Sequence, residues 1–346
     1  MKKILLLVLP VMALCLASCE KNNENEIDGL SGDDVIEFED PNFLKALLFV
    51  QEIDGDGGVS TPDYYLMDVD ANKDGKITVN EAKKVLALSL HYLDSNYNTI
   101  SFEVESMPEI KYFTSLEYLD CSYNKLTSLD VSNNTALKYL YVDENQLTSL
   151  DVSNNTALRE LSCYDTQLTS LDLSNNTALE FLYCRAANQL TSLDLSNCTA
   201  LETLACDRNQ LTSLDVSDCT ALTWLSCGEN QLTSLDLSNN TALTYLSCYD
   251  NQLTSLDLSD NTALTRLTCF DTQLTSLDLS KCTKLYMLFC VDFNYSGEDP
   301  GGEFESIIPE TKCPLESLKI YKYHTIWKPS MDATLSAYGS VIEYVE

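Results

Sequence analysis

A 21-residue unit of the form LTSLDLSNNTALxxLxCxxNQ recurs through the middle of the chain and leaves little choice of architecture. Full units begin at Leu116, Leu137, Leu158, Leu179, Leu201, Leu222, Leu243 and Leu264, and a partial one begins at Leu285. Only the fourth is longer, by one residue at Ala186-Ala187. Self-similarity at a fixed period means that no unit buries its apolar face alone, so each must stack on its neighbours as a solenoid. A single unit in isolation should not fold.

Within Leu137-x-x-Leu140-x-Val142-x-x-Asn145-x-Leu147 the residues alternate as in a short strand, with Leu140 and Val142 on one side and Tyr139 and Tyr141 on the other. The apolar set is expected inward. This LxxLxLxxNxL frame resembles the leucine-rich repeat. The LxxLDLSxN half that follows is similar to the short bacterial class called IRREKO, and the resemblance covers Leu116 to Cys290. It implies a solenoid of parallel β-strands and coil. The alternation of Leu129-Asp130-Val131 offers a second strand on the opposite face. At about 4.8 Å per strand, the stack is roughly 40 Å long.

Each column of the repeat carries its own expectation. Cys121, Cys163, Cys184, Cys206, Cys227, Cys248, Cys269 and Cys290 share a column with Val142, so the position wants a small apolar group. They form a line and do not converge as metal ligands would, and parallel Cβ vectors strain a disulfide, so free core thiols are expected. Cys198, Cys219 and Cys282 replace an asparagine held elsewhere as Asn134, Asn155, Asn176, Asn240 and Asn261, a column expected to be half buried. Asn145, Asn188, Asn209, Asn230 and Asn251 should satisfy turn backbone, with Thr166 and Thr272 as weaker substitutes.

Asp130, Asp151, Asp172, Asp194, Asp215, Asp236, Asp257 and Asp278 stack eight like charges at strand spacing, which repel and need compensation. Local bonds to hydroxyls or backbone amides are the expected source. A string of weak divalent-ion sites is the alternative. Triplets such as Asn133-Asn134-Thr135 read as turn chemistry more than as glycosylation acceptors.

Positions flanking the inward leucine and cysteine vary while the rest is held nearly constant, and variation on a rigid scaffold is where specificity can be encoded. They include Tyr139, Tyr141, Tyr164, Phe181, Tyr183, Trp224, Tyr245 and Tyr249, the candidate partner-binding residues, with Tyr118, Phe270 and Phe289 in the same columns. An acidic row of Glu144, Asp165, Glu229, Asp250, Asp271 and Asp292 runs beside them. Rings and carboxylates together suit a protein hot spot or a sugar stacked on aromatics. Rings that merely stack on one another to stiffen the face are the competing account.

Ahead of the repeats, Asp70-Ala71-Asn72-Lys73-Asp74-Gly75-Lys76-Ile77-Thr78-Val79-Asn80-Glu81 resembles the EF-hand calcium loop at every defining position. The resemblance implies Ca2+ ligated by Asp70, Asn72, Asp74, Thr78 and Glu81 and by the Lys76 carbonyl, with Gly75 at the sharp turn. A weaker copy spans residues 52–63, with Asp54, Asp56 and Asp63 as ligands. Asp40-Pro41 should start a helix through Val50, and another is expected from about Asn80 to Leu93. The boundaries that follow are 39–94 for this EF-hand-like unit, 95–115 for an N-terminal cap, 116–292 for the repeats and 293–346 for a C-terminal cap. In the last of these Leu315-x-x-Leu318-x-Ile320 echoes one more strand.

Residues 1–18 read as an export signal, with Lys2-Lys3 ahead of an apolar stretch too short to be a stable span. Its end, Leu16-Ala17-Ser18-Cys19, resembles a bacterial lipobox, which implies lipidation at Cys19. The polar run Glu20 to Glu26 begins a flexible tether over 19–38. Acidic stretches of this kind are similar to those of surface-exposed outer-membrane lipoproteins. With 21 basic against 53 acidic residues and a formal charge of -32, the chain lacks the basic footprint of a nucleic-acid binder. Only His91 and His324 are present, with no nucleophile and base in a recognisable arrangement, so catalysis is not expected. The expectation is a non-enzymatic lipoprotein that binds a protein through its aromatic and acidic face, with structural calcium. A glycan-binding module and a passive spacer are the alternatives.

Overall fold

The structure is a computed structural model that describes residues 27, 29–53, 69–93, 99–186, 189–285 and 287–290, with the backbone of strands Ser317–Tyr321 and Val341–Val345. The leader with Cys19, the weaker acidic loop with Asp54, Asp56 and Asp63, Asn188, Asp292 and most of 293–346 lie outside the described residues.

Each repeat contributes a three-residue strand that begins two residues after its first leucine, from Tyr118–Asp120 to Met287–Phe289. These strands pair in parallel and in register, so that Leu119, Leu140, Leu161, Leu182, Leu204, Leu225, Leu246, Leu267 and Leu288 lie side by side. The two-residue period of a strand then fixes which side chains face in. Leu201, Leu204, Cys206 and Leu211 of the fifth repeat are fully buried, as are their equivalents in the other full repeats to within a few per cent, in one core that runs from Ile36 to Cys290. Cysteines 121, 163, 184, 206, 227, 248, 269 and 290 are free and buried. Burial pushes the Cys248 thiol up to about 12. The opposite face forms strands at Ser170–Asp172, Ser192–Asp194 and Ser276–Leu279 and is irregular elsewhere among the described residues.

Two asparagine columns tie turn to turn. Asn145, Asn209, Asn230 and Asn251 each donate from Nδ2 to a carbonyl of the preceding repeat and to carbonyls of their own, and accept at Oδ1 an amide of the preceding repeat. Thr166 and Thr272 instead donate from Oγ1 to the carbonyl three residues back, at 2.9 Å. The second column, expected to be half buried, is fully buried instead. Asn134, Asn155, Asn176, Asn240 and Asn261 each donate to two carbonyls of the repeat before, because the turn there closes over the core. Their Oδ1 atoms are buried with no hydrogen-bond partner among the described residues. A buried orphan acceptor costs about 1–3 kcal/mol. Cysteine at 198 and 282 brings no such acceptor and still places its thiol within 3.5–3.8 Å of the equivalent carbonyl. That accounts for the interchange.

The N-terminal part departs from expectation. The helix Pro41–Ile53 is present, with Asp40 Oδ1 accepting the Asn42 amide at 2.8 Å. In place of a helix from Asn80 to Leu93 there is a single turn, Val79–Ala82, followed by strand Ala87–Ser89, which pairs in parallel with Tyr118–Asp120. Val85, Leu88 and Leu90 fall in register with Leu116, Leu119 and Cys121, so the repeat frame captures residues whose local helical preference is weaker than the tertiary burial on offer. The ten-stranded sheet therefore starts one turn earlier than the repeats do. Phe43, Ala46 and Leu47 are buried in the core that continues into the repeats, with Phe43 beside Phe113, and Asp40 Oδ2 accepts the amides of Glu105 and Ser106. At the other end Ser317–Tyr321 forms the strand expected near Leu318, but it pairs with Ser276–Leu279 and Val341–Val345 on the opposite face.

The two asparagine columns should respond differently to one substitution. Asn240→Cys should leave stability within about 1 kcal/mol, because it removes an orphan acceptor along with one donor. Asn230→Cys should cost about 2 kcal/mol or more, because it strands the Leu211 amide and weakens the pairing of three carbonyls. Urea unfolding of both variants checks this.

Candidate functional site

With the leucines inside, the third, fifth and seventh residues of each repeat face outward on the sheet. Tyr139, Tyr141, Phe181, Tyr183, Trp224 and Tyr245 lie on strands, and Tyr164 and Tyr249 lie two residues beyond strand ends. All eight are half-buried. They fall into two groups. In the first, Tyr118 packs against Tyr139 and Tyr141 at 6.4 and 5.5 Å, and the hydroxyls of Tyr123 and Tyr164 share a hydrogen bond of 2.6 Å. In the second, Trp224 stacks on Tyr245 at 4.8 Å and 8°, and Tyr249 on Phe270 at 4.9 Å and 25°. The spacing of the Trp224–Tyr245 stack matches that of neighbouring strands, so the rings stand on edge with their rims outward. Between the groups the fifth repeat carries only Thr203 and Ala205 at its outward strand positions.

Gly228 has a specific use here. A Cβ at this position would overlap the Tyr249 ring, so its absence lets that ring fold across the backbone. The Tyr249 hydroxyl then donates to Glu229 Oε1 at 2.9 Å, which also accepts from Arg208 Nε at 2.8 Å. The acidic row sits at an unusual backbone position. Glu144, Asp165, Glu229, Asp250 and Asp271, with Tyr123, Ala186 and Arg208, all take the left-handed conformation, at φ of 46° to 59°. A non-glycine residue pays about 1–2 kcal/mol there.

Two acids of the seventh column were not among the expected site residues. Asp143 Oδ1 accepts from Ser162 Oγ at 2.7 Å and the Tyr164 amide at 2.9 Å. Asp207 Oδ1 accepts in the same way from Ser226 Oγ and the Gly228 amide. Both are buried. Desolvation pushes Asp143 up to about 7 against the pull of its two donors, and raises Asp207 for the same reason. The signal in the sequence is an Asp at the seventh position with a Ser 19 residues on.

A family model described as leucine-rich repeats (2 copies) matches residues 114–155. Among solved structures, the functional domain of InlJ from Listeria monocytogenes, which includes a cysteine ladder, is 30% identical with a TM-score of 0.50. The match covers 76% of this chain and 62% of that one. The fold is a leucine-rich repeat solenoid. Internalin C2 of the same organism is 22% identical (TM-score 0.48; 73% and 93% covered), and the Leptospira interrogans LRR protein LIC12759 is 25% identical (TM-score 0.42; 52% and 56% covered). No curated protein matches the chain.

On the opposite face of the leucine-rich repeat solenoid, the stacked aspartates are all engaged. Oδ1 of each of the eight accepts the amide of the serine two residues on, at 2.9–3.0 Å. These bonds, with the Ser hydroxyls, hold the carboxyls of Asp130, Asp151, Asp194 and Asp215 below their ordinary range. The compensation is local, and no ion is needed to explain the column.

In the loop at 70–81, Asp70 is buried and accepts the amides of Asp74 and Gly75, Asn72 accepts that of Asp74, and Asp74 that of Lys76. Gly75 has φ +78° and Ile77 is fully buried. The Ile77 carbonyl accepts the Ile36 amide, so the loop is braced by the chain at 34–36. Its oxygens suit a hard cation. Glu81, however, is turned back onto Thr78 as a capping box, and among the described residues no three carboxylate, imidazole or thiol groups converge as metal ligands. His91 pairs with Asp120 at 3.5 Å and stacks on Tyr123 at 4.6 Å, and its Nε2 has no partner among the described residues.

An acid whose folded pKa is raised binds more protons folded than unfolded, so it costs stability above its unfolded pKa, near 4, and fully above the folded value. Asp143→Asn can keep both donors on its carboxamide oxygen. It should therefore raise stability at pH 8 by on the order of 2 kcal/mol, with the gain vanishing toward pH 4. Thermal melts across that range read it directly.

Proposed function

We propose that the chain is a surface-displayed binding protein whose ligand is a protein, held by the outward face of the ten-stranded sheet. Leucine-rich repeat solenoids typically mediate protein binding, and no enzymatic family matches. The observation that carries the reading is the pair of on-edge stacks, Trp224–Tyr245 and Tyr249–Phe270, held half-exposed on a rigid sheet. A sugar needs a free ring face, and in these pairs each ring covers one face of its neighbour, so two of four faces are lost to a sugar while the rims and carboxylates stay open to a protein. That favours a protein over a glycan. The deficit of basic residues against a formal charge of -32 speaks against a nucleic-acid ligand.

The acidic row supports the same reading. Glycine or asparagine would serve the left-handed backbone better than Glu144 or Glu229 do, so these side chains answer to something besides the turn. Attachment to the outer membrane through a lipid on Cys19 belongs to this proposal, on the strength of Leu16-Ala17-Ser18-Cys19. So does a calcium ion held by Asp70, Asn72, Asp74, Thr78, Glu81 and the Lys76 carbonyl, supported by the oxygen set and the left-handed Gly75. To ligate with two oxygens, Glu81 would release Thr78. The ion's part would be to stiffen the segment whose core continues into the repeats.

The test is capture of surface proteins from cells of the native habitat, with and without chelator. Trp224→Ala with Tyr245→Ala should abolish capture and leave the melting temperature nearly unchanged. Undiminished capture by the double variant sinks the assignment of the face. Chelator should lower the melting temperature, and no shift would remove calcium from the account.

A further inference from the structure

Asp143 and Asp207 are built alike and are used by nothing described so far. They are 7% and 8% exposed, and each fixes one carboxylate oxygen with a serine hydroxyl and a backbone amide of the next repeat. Among the described residues neither Oδ2 receives a hydrogen bond or an ion pair, and neither is sealed from solvent. An almost buried carboxylate with one oxygen anchored and the other left bare at an outward-facing position carries a desolvation cost that its two bonds offset only in part. Arg185 lies near enough to Asp207 to act on its charge but forms no ion pair with it. The Tyr249 ring folds over Gly228, whose amide donates to Asp207 Oδ1, so an aromatic ring stands next to this carboxylate. A carboxylate beside an aromatic ring is the pattern that receives a guanidinium or ammonium group, through a charge-assisted bond and ring contact with its stem.

We infer that Asp143 and Asp207 are sockets for cationic side chains of the protein partner, each seating one guanidinium or ammonium on its unpartnered oxygen. The inference rests on the reading of the sheet face as a protein-binding surface, and it names the chemistry of the partner as a basic extended segment. The two acids occupy the same position three repeats apart, or about 14 Å at the spacing of parallel strands. An extended peptide laid across the strands rises about 3.3 Å per residue, so its two cations are about four residues apart.

The probe is a fluorescein-labelled, end-blocked peptide of sequence Arg-Ser-Ser-Ser-Arg, compared with the same peptide carrying two citrullines, which keep the shape and lose the charge. The full chain should bind the arginine peptide at least tenfold more tightly than the citrulline peptide. Asp207→Asn and Asp143→Asn each keep an oxygen for the two anchoring donors and replace the bare oxygen with an amide, so both should fold normally and each lose at least tenfold in affinity. Asp257→Asn on the opposite face removes the same formal charge and should lose less than twofold. Equal binding of the citrulline peptide, no binding of either peptide, unchanged affinity in both socket variants, or an equal loss in Asp257→Asn overturns the inference. If the peptides fail while capture of a surface protein still depends on Trp224 and Tyr245, the sockets fall and the binding face stands.

Discussion

What the rest of the structure depends on is hydrogen bonding from one turn to the next by buried asparagine amides. A strand of three residues makes too few ladder bonds to fix a 21-residue loop, and most of each repeat is irregular backbone. Irregular backbone packed against a neighbouring turn has buried donors and acceptors that must be met. Asn230 meets four of them at once, linking Leu211, Cys206, Cys227 and Gly228 across two repeats. The leucine and cysteine core supplies the drive to stack, and the amides set the register in which stacking occurs. The same arrangement explains why the backbone can tolerate left-handed turns at glutamate and aspartate. The turn amide there bonds across to the next repeat, as Glu144 does to Tyr164 and Glu229 to Tyr249.

Most of this was legible because the repeat encodes it many times. The alternation around Leu140 and Val142 fixed the inward face, and eight cysteines in one column marked a small dry site. The aspartate column, ambiguous between local bonding and ions, resolves into eight identical bonds to serine amides. Where the sequence loses the period, the reading weakened. Here the consensus cysteine is replaced by Leu90 and the turn asparagine by Leu93, so Val85, Leu88 and Leu90 read as helix, although neighbouring turns draw them into the sheet. The depth of Asn134 and its equivalents was also hidden, since an amide at a turn looks solvent-facing until its neighbours close over it.

The candidate site was visible as composition and not as geometry. The eight rings lie on or just beyond strands of one sheet, but nothing in the sequence told that Trp224 and Tyr245 stack on edge while repeat five leaves a gap. Asp143 and Asp207 were passed over because they share a column with Tyr164, Tyr249 and Phe270, and their burial comes from side chains a full repeat away. The outward face thus combines three features that cost stability: left-handed acids, desolvated carboxylates and half-exposed rings.

The most direct measurement of the central claim is thiol labelling of the folded protein, read cysteine by cysteine by mass spectrometry. The eleven described thiols are buried in the stack, and burial also raises the pKa of those in the core, Cys198 to about 11 and Cys248 to about 12. Reagent should therefore reach them only after denaturation, and all at the same denaturant concentration if the turns hold one another in register. Ready modification of Cys206 or Cys227 in buffer, while circular dichroism reports a folded chain, would contradict the account.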